Sequence, residues 1–260
     1  AYRGEQRADG SIETQSGGIV GFFSLEMSAE QLATRILAEQ AEIASYKIRR
    51  GDISESEFSK LAAAAQTMQV VPLYIDDTGG ISIAQLVARA RRLKRQRGLD
   101  FMVVDYLQLL SGSSKSSSQN RVQEVTEITT GLKALAKELQ VPIMALSQLS
   151  RQVESRDDKR PQLADLRESG SIEQDADVEQ DADVVMFVYR EEYYLKSREP
   201  KPGTEEWFKW EADMKAAEGV AEVIIGKQRH GPTGTVKVHF EPQFTRFSNL
   251  AREDRLPDRH

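Results

Sequence analysis

The chain has 260 residues, of which 39% are hydrophobic and 29% are charged, and its formal net charge is −6. This composition suits one large globular α/β domain, or a domain with an appendage, and the net charge argues against a nonspecific polycation without excluding a nucleic-acid partner. The absence of cysteine excludes a disulfide framework or a thiolate metal site. Because no apolar stretch has membrane-spanning length and no signal peptide is recognisable, we expect a soluble, cytoplasmic protein with no membrane partner.

Strand-like runs alternate with helical patterns, which predicts βαβ units and a mainly parallel, twisted sheet flanked by helices. The predicted strands cover 19–25, 70–76, 101–109, 141–147, 183–189, 220–228 and 234–240, and the predicted helices cover 28–42, 54–69, 82–97 and 119–140. Ser28 and Ser54 have the sequence context of helix-starting caps. The last two strands, joined through Gly231-Pro232-Thr233-Gly234, are predicted to form a carboxyl-terminal antiparallel hairpin.

This pattern predicts one domain at 19–250, preceded by a polar amino-terminal segment at 1–18 and followed by a tail at 251–260. Two segments interrupt the domain. Residues 190–219 combine aromatic and charged side chains and are interpreted as a surface insertion, either a loop or a short helix. The string EQDADV occurs at 173–178 and again at 179–184, and only one copy can lead directly into the following strand.

The apolar run at 101–110 is interrupted by one carboxylate, Asp105. Its β-branched residues predict a strand that is buried on both faces of a parallel sheet. A carboxylate at the end of such a strand lies on the edge where α/β proteins bind ligands, and nucleotide hydrolases use an Asp there to hold Mg²⁺. The alternative is that Asp105 merely caps a loop.

Polar residues also follow three other predicted strands. Glu26 and Gln148 end the first and fourth strands, and Lys227 and Arg229 end the sixth. Because parallel strands share one carboxyl edge, Glu26, Asp105 and Gln148 are expected to converge, with Asp105 on the metal, Glu26 polarising the attacking water and Gln148 sensing the γ-phosphate. Arg229 beside Lys227 is suited to act as an arginine finger, and a solvated basic turn is the alternative.

Several strings resemble the ATPase domain of the DnaB family of bacterial replicative DNA helicases, and this resemblance extends to about residue 250. They are SLEMSAEQL, FMVVDYLQLLSG, LSQLSRQVESR, KRPQLADLRESGSIEQDADV and GKQRHGPTG. The resemblance implies a RecA-like fold, ATP and Mg²⁺ as cofactors, and a homohexameric ring on single-stranded DNA. It also implies primase and a helicase loader as partners and a cytoplasmic, nucleoid-associated location in a bacterium.

By this resemblance, Glu26 matches the catalytic glutamate, Asp105 the Walker B aspartate and Gln148 the γ-phosphate-sensing glutamine. Lys227 and Arg229 match the basic pair that reaches the nucleotide of the neighbouring subunit.

A DNA contact is also implied, because Arg167, Glu168 and Gly170 match the loop that follows the DNA backbone. Taken by themselves, these residues supply a charge and a small residue that lets backbone N–H groups approach a phosphate. A plain helix end with glycine is the alternative.

The chain departs from the family in one respect: it contains no G-x-x-x-x-G-K-[ST] pattern, whose backbone amides cradle the phosphates of ATP. The Gly226-Lys227 pair is followed by Gln228 and does not fit. In the family this loop precedes the strand that carries Glu26, so we expect the sequence to begin just past it. The core is then expected to lack the P-loop strand and helix, and the isolated chain to be deficient in hydrolysis.

Two rival functions stay open. One is a noncatalytic module that binds single-stranded DNA or neighbouring subunits. The other is a recombinase-type or circadian-type ATPase with the same core, although LRESGSIEQDAD and KQRHGPTG favour the replicative helicase.

Overall fold

The computed structural model describes residues 3–6, 12–112, 121–166, 179 and 181–250. The strands are β1 (Arg3–Gln6), β2 (Ile12–Ser16), β3 (Val20–Ser24), β4 (Leu73–Asp76), β5 (Phe101–Asp105), β6 (Ile143–Ala145), β7 (Val184–Tyr189), β8 (Val220–Gln228), β9 (Gly234–Glu241) and β10 (Arg246–Asn249). The α-helices are α1 (Ala29–Ala41), α2 (Ser45–Arg50), α3 (Glu55–Gln69), α4 (Ile83–Arg97), α5 (Arg121–Leu139), α6 (Glu191–Lys196) and α7 (Glu205–Ala217). Short 3-10 helices cover Leu107–Leu109, Arg151–Ser155 and Leu163–Leu166.

The strands form one parallel sheet and one antiparallel sheet, together with a hairpin of β1 and β2. The parallel sheet has the order β4-β3-β5-β6, and the antiparallel sheet has the order β10-β9-β8-β7. The predicted parallel sheet and the predicted antiparallel pair β8–β9 are therefore confirmed. The strand predicted at 183–189 differs, since β7 pairs antiparallel with β8 instead of extending the parallel sheet.

Serine caps start three of the helices that the sequence predicted. The side chains of Ser28, Ser54 and Ser82 each accept a hydrogen bond from the backbone N–H three residues later, and each forms a full capping box with Gln or Glu at that position. These reciprocal bonds satisfy N–H groups that a helix start leaves unpaired. Gly98 ends α4 at a positive φ of 87°, and a Cβ there would come within 2.7 Å of Ile19.

The main core lies between the parallel sheet and the helices α4 and α5. Met102 and Val104 of β5 are fully buried, and they belong to the same buried cluster as Leu86 of α4 and Leu135 of α5. The helix predicted at 119–140 is therefore present as α5, and it packs its apolar side against the sheet. The parallel pairing of β3, β5 and β6 places their carboxyl ends at one edge.

The prediction that β5 is buried on both faces was wrong. Met102 and Val104 are buried, whereas Phe101, Val103 and Asp105 are half-buried, so the strand alternates between two environments. The strand is also shorter than the predicted 101–109. It ends at Asp105, the peptide bond from Asp105 to Tyr106 is cis, and the chain then enters the 3-10 helix Leu107–Leu109.

Two further segments contain more structure than expected. The polar segment 1–18 includes the β1–β2 hairpin, and the insertion 190–219 forms both α6 and α7. The indole N–H of Trp210 donates to the carbonyl oxygen of Leu195 at 2.8 Å, which joins the two helices. A search of the described residues finds no helix with the length and apolarity needed to cross a membrane.

Candidate nucleotide site

The pairing of β3 with β5 brings Glu26 next to Asp105. Ser24 lies opposite Asp105 in the parallel register, and the N–H of Leu25 donates to the carbonyl oxygen of Asp105 at 2.8 Å. The hydroxyl of Ser24 donates to the carbonyl oxygen of Met27 at 2.7 Å and closes the turn that carries Glu26. The predicted neighbourhood of the two carboxylates at the sheet edge is therefore present in the fold.

The electrostatics of this edge favour a bound cation. Burial raises the pKa of the Asp105 carboxyl, the nearby Glu26 carboxylate raises it further, and Arg35 opposes both effects. Two carboxylates at a half-buried edge repel each other, so a positive charge between them is favoured. Arg35 on α1 was not singled out from the sequence, because it comes near Asp105 only in the folded chain.

Gln148 lies at the same edge, beyond β6. Leu146 donates its N–H to Val104 at 2.9 Å and accepts at its carbonyl from Leu107 at 2.9 Å, which holds the chain after β6 beside the end of β5. The side chain of Gln108 then accepts from the N–H of Gln148 at 3.2 Å. The structure thus brings all three predicted residues to one edge.

Gln108 is a second residue of this site that sequence reasoning missed, after Arg35. Its amide nitrogen donates to the hydroxyl of Ser147 at 3.0 Å and to the carbonyl oxygen of Gln148 at 3.2 Å. The signal was present in the sequence, since Gln108 is a polar side chain inside the apolar run 101–110. Its contact with Gln148 depends on the 3-10 helix Leu107–Leu109, which places the Gln108 side chain next to the chain after β6.

The donor set at this edge suits Mg²⁺ bound together with a phosphate. Among the described residues there is no group of three or more His, Cys, Asp or Glu that could hold a metal ion by itself. Mg²⁺ usually keeps several waters and uses one or two carboxylates plus substrate phosphates, so Asp105 with Glu26 nearby fits that mode of binding.

Lys227 and Arg229 lie apart from these residues in the sequence and belong to the antiparallel sheet. Lys227 is in β8 and donates to the carbonyl oxygen of Glu179, and Arg229 directly follows β8. The Nε atom of Arg229 lies 3.5 Å from a carboxylate oxygen of Asp183, and the backbone N–H of Arg229 donates to the carbonyl oxygen of Asp183 at 2.8 Å. With 46% of its side chain exposed, Arg229 is accessible to a partner.

Asp183 is a third residue that the sequence did not reveal. Its carboxylate accepts a hydrogen bond from Lys133 of α5, and this bond, together with the charges of Lys133 and Arg229, lowers the pKa of Asp183. Asp183 belongs to the second EQDADV copy, so this copy is the one that leads into β7.

Arg167, Glu168 and Gly170 lie outside the described residues, but the segment just before them is firmly anchored. Asp165 is buried, and its carboxylate accepts two hydrogen bonds from the Arg156 guanidinium, at 2.9 and 2.8 Å. A third bond comes from the N–H of Gln162 at 2.7 Å. This buried ion pair fixes the position from which the chain departs.

Residues 7–249 match the family model described as the DnaB-like helicase C terminal domain. The replicative DNA helicase DnaB of Rickettsia prowazekii (strain Madrid E) is 51% identical over 233 residues, which cover 90% of this chain and 46% of that protein. The chain thus spans about half the length of the curated relatives it matches.

Two solved structures share the fold. One is an ATPase domain that superimposes with a TM-score of 0.74 at 34% identity, covering 90% of this chain and 75% of that one. A DnaB-like replicative helicase, solved together with its interactions with primase, has a TM-score of 0.74 at 36% identity, covering 90% and 51%. The expected RecA-like fold is confirmed by these neighbours, and the chain belongs to the family of DnaB-like helicase carboxyl-terminal domains.

Proposed function

We propose that the chain is the motor domain of a replicative DNA helicase, which couples hydrolysis of Mg·ATP to translocation along single-stranded DNA and to duplex unwinding. This proposal rests on the position of Glu26 beside Asp105 at the carboxyl edge of the parallel sheet. The backbone N–H of Leu25 donates to the carbonyl oxygen of Asp105 at 2.8 Å and brings the two residues together. The raised pKa of Asp105 adds a local preference for a bound cation.

Each residue of the edge has a chemical role in this proposal. Asp105 holds the Mg²⁺ ion through a water, and the bound Mg²⁺ supplies positive charge that stabilises the phosphates during transfer. Glu26 is exposed beside it and orients the attacking water. Gln148, held through its backbone by Gln108, contacts the γ-phosphate and reports its loss to the following chain.

Lys227 and Arg229 are proposed to act on the nucleotide of a neighbouring subunit in a homohexameric ring. A guanidinium fork stabilises negative charge on a transferring phosphoryl group better than a single ammonium does. Arg229 sits at a turn between β8 and β9, where it is half-exposed and contacts Asp183. A phosphate of the neighbour would compete with Asp183 for this guanidinium.

The remaining partners follow from the family. We propose that Arg167, Glu168 and Gly170 contact the backbone of single-stranded DNA, from the base that the Arg156–Asp165 pair anchors. Primase is proposed as a partner because one similar helicase was solved together with its interactions with primase. A helicase loader and a location at the bacterial nucleoid in the cytoplasm complete this proposal.

The chain as printed is proposed to need a phosphate cradle from elsewhere, because its 260 residues contain no G-x-x-x-x-G-K-[ST] pattern. In the described part of the fold, β6 and β7 each pair on one side only. Their free backbone edges suit the pairing of a further strand. Met144 on β6 and Val184, Met186 and Val188 on β7 are exposed, so one face of each strand also suits a covering element. By itself the chain would act as a noncatalytic module that binds DNA or subunits.

Turnover of Mg·ATP tests this proposal. The chain alone is compared with a chimera in which the amino-terminal portion of the Rickettsia prowazekii relative precedes it, each with and without a poly-dT oligonucleotide. We expect no turnover by the chain and DNA-stimulated turnover by the chimera, lost again on Asp105→Asn. Turnover by the chain alone would refute the need for an added cradle, and a chimera that is folded, hexameric and inactive would contradict the assigned ATPase.

A further inference from the structure

The junction of β7 and α6 carries an aromatic column that the proposed ATPase does not use. Its base is Tyr189, which is buried and covered by the guanidinium of Arg160 at 4.8 Å from its ring centroid. Tyr194 stacks on Tyr189 with centroids 5.6 Å apart and planes inclined by 20°. Tyr193 meets Tyr194 edge to face at 5.2 Å, and 64% of Tyr193 is exposed to solvent. The column therefore ends in an aromatic ring that faces solvent.

Hydrogen bonds hold this column in place. The hydroxyl of Tyr189 donates to Glu191 at 2.5 Å, and the hydroxyl of Tyr194 donates to Glu154 at 3.2 Å. Arg160 is itself paired with Glu222, with its Nε atom 3.0 Å from a carboxylate oxygen. The two inner rings are therefore held in place, and Tyr193 packs edge to face against one of them.

Cations surround the exposed end of the column. An open cleft of about 630 Å³ is lined by Tyr193, Tyr194, Glu154, Lys159, Lys196 and Arg198, a volume in the range of small-ligand sites. Three of these side chains are basic and one is acidic, and the acidic Glu154 is already engaged with Tyr194. The lining is therefore an aromatic surface with an excess of positive charge.

The charges of two of these cations are incompletely neutralised. Lys159 donates to the carbonyl oxygens of Glu154 and Arg156, at 2.5 and 3.0 Å, and these oxygens carry no formal charge. The guanidinium of Arg198 is exposed and makes no ion pair with any described carboxylate. Lys196 is paired with Glu192, but 58% of its side chain remains exposed.

We propose that this cleft binds a nucleotide unit of single-stranded nucleic acid, with its base on Tyr193 and its phosphate against Lys196 and Arg198. Proteins that hold single strands combine aromatic rings, on which bases stack, with basic side chains that follow the backbone. Tyr193 and Lys196 are three residues apart on α6, so their side chains share one face of the helix. This contact is separate from the proposed loop at Arg167 and requires no ATP hydrolysis.

Fluorescence anisotropy of a short labelled dT oligonucleotide, measured without nucleotide and at several salt concentrations, tests the proposal. The background is the Arg167→Ala variant of the chain, which removes the proposed loop contact and separates this site from it. We expect Tyr193→Ala to weaken binding by roughly fivefold or more, and Tyr193→Phe to bind normally because it keeps the ring. Arg198→Ala should weaken binding and reduce the salt slope by about 0.7.

Two controls make the result specific. Phe208→Ala removes another exposed aromatic ring of the same insertion, outside the cleft, and should leave binding unchanged. An abasic oligonucleotide should bind the unsubstituted cleft as weakly as dT binds Tyr193→Ala. Three results would each overturn the proposal. They are equal affinity of Tyr193→Ala and its parent for the oligonucleotide, no binding of the oligonucleotide by the parent, and full competition by polyglutamate of equal charge.

Discussion

The side chain of Gln108 holds Gln148 through both backbone groups of that residue. Its oxygen accepts from the N–H of Gln148 at 3.2 Å, and its nitrogen donates to the carbonyl oxygen of Gln148 at 3.2 Å. One residue therefore connects the turn after β5, which carries Asp105, to the chain after β6. The position of the proposed γ-phosphate sensor depends on this connection.

Replacement of Gln108 by Leu should disturb the position of Gln148 more than the fold. Loss of these partly exposed hydrogen bonds should lower the free energy of unfolding by about 1 kcal/mol. In the chimera, kcat for ATP should fall roughly tenfold or more with little change in KM, because misplacement of a group that acts on the transferring phosphate affects the chemical step. Gln66→Ala, on the exposed face of α3, is the matched control. An unchanged kcat would argue against a positioning role.

Asp105→Asn should stabilise the chain at neutral pH in the absence of Mg²⁺. The pKa of Asp105 is raised in the fold, so the folded state binds this proton more tightly than the unfolded state, and stability falls as the pH rises through the raised pKa. Below the unfolded pKa of about 3.9 both forms are neutral and the advantage of Asn should vanish. We expect an increase in Tm of roughly 1 to 3 °C at pH 7.

In the chimera, addition of Mg²⁺ together with ATP should reverse this order, because the bound ion stabilises the carboxylate but not the amide. Thermal melts of the chain at pH 3.5 and pH 7 measure the first effect, and melts of the chimera at pH 7 with and without Mg·ATP measure the second. Asp52→Asn, at an exposed position, serves as control. A variant that is less stable than the parent at pH 7 without Mg²⁺ would contradict the electrostatic description of this edge.

Asp165→Ala should be strongly destabilising, because it leaves the Arg156 guanidinium without its bidentate partner. The side chain of Asp165 is only 5% exposed. Removal of one member of such a pair costs about 3 kcal/mol, which corresponds to a fall in Tm of roughly 6 to 12 °C. Asp158→Ala, in a neighbouring exposed pair, should change stability by less than about 0.5 kcal/mol. Urea unfolding measures the free energy of unfolding of both variants. Similar decreases would show that the pair with the buried Asp165 stabilises the fold no more than the exposed pair does.

Deletion of one EQDADV copy should raise thermal stability. The same sequence results whichever copy is removed, so a single variant tests the effect. The shortened connection between Leu166 and Val184 costs less entropy to close, by ~0.4 kcal/mol or about 1 °C in Tm. The contacts of Asp183 with Lys133 and Arg229 can be retained by the remaining copy. A lower or unchanged Tm would mean that both copies contribute to the fold.

Mixed rings of the chimera should show whether Arg229 acts across a subunit boundary. Arg229→Ala and Asp105→Asn subunits are each inactive alone, but an equal mixture should recover about one quarter of the turnover if the arginine serves the neighbouring site. Subunits carrying both substitutions should give no recovery when mixed with Arg229→Ala. Lys237→Ala, on the same hairpin and exposed, should be fully active alone. Failure to recover activity in the mixture would assign Arg229 to its own subunit.

Prediction from the sequence succeeded where local rules decide the outcome. The helices at 29–41, 55–69 and 83–97 start at the serines whose side chains cap them, and the helix predicted at 119–140 is present as α5. The expectation that Glu26, Asp105 and Gln148 share one edge follows from the parallel order of the strands, and the geometry agrees with it. Their catalytic roles stay predictions.

Long-range contacts account for what the sequence did not reveal. Gln108, Arg35 and Asp183 became candidates only after folding, since their partners lie far away along the chain or on other elements. The alternating exposure of β5 likewise depends on which helices cover each face of the sheet, and no local pattern encodes that coverage.

The amino-acid sequence by itself determined the alternation of strands and helices between β3 and β6, the caps at Ser28 and Ser54, and the family of the chain. These depend on side-chain periodicity, on serine hydroxyls beside helix starts, and on strings such as LRESGSIEQDAD. Only the tertiary structure decided which side chains meet: Asp105 with Glu26, Gln108 with Gln148, and Tyr193 with the cations of its cleft. The reason is physical, because strand register and helix packing bring together residues that are far apart along the chain.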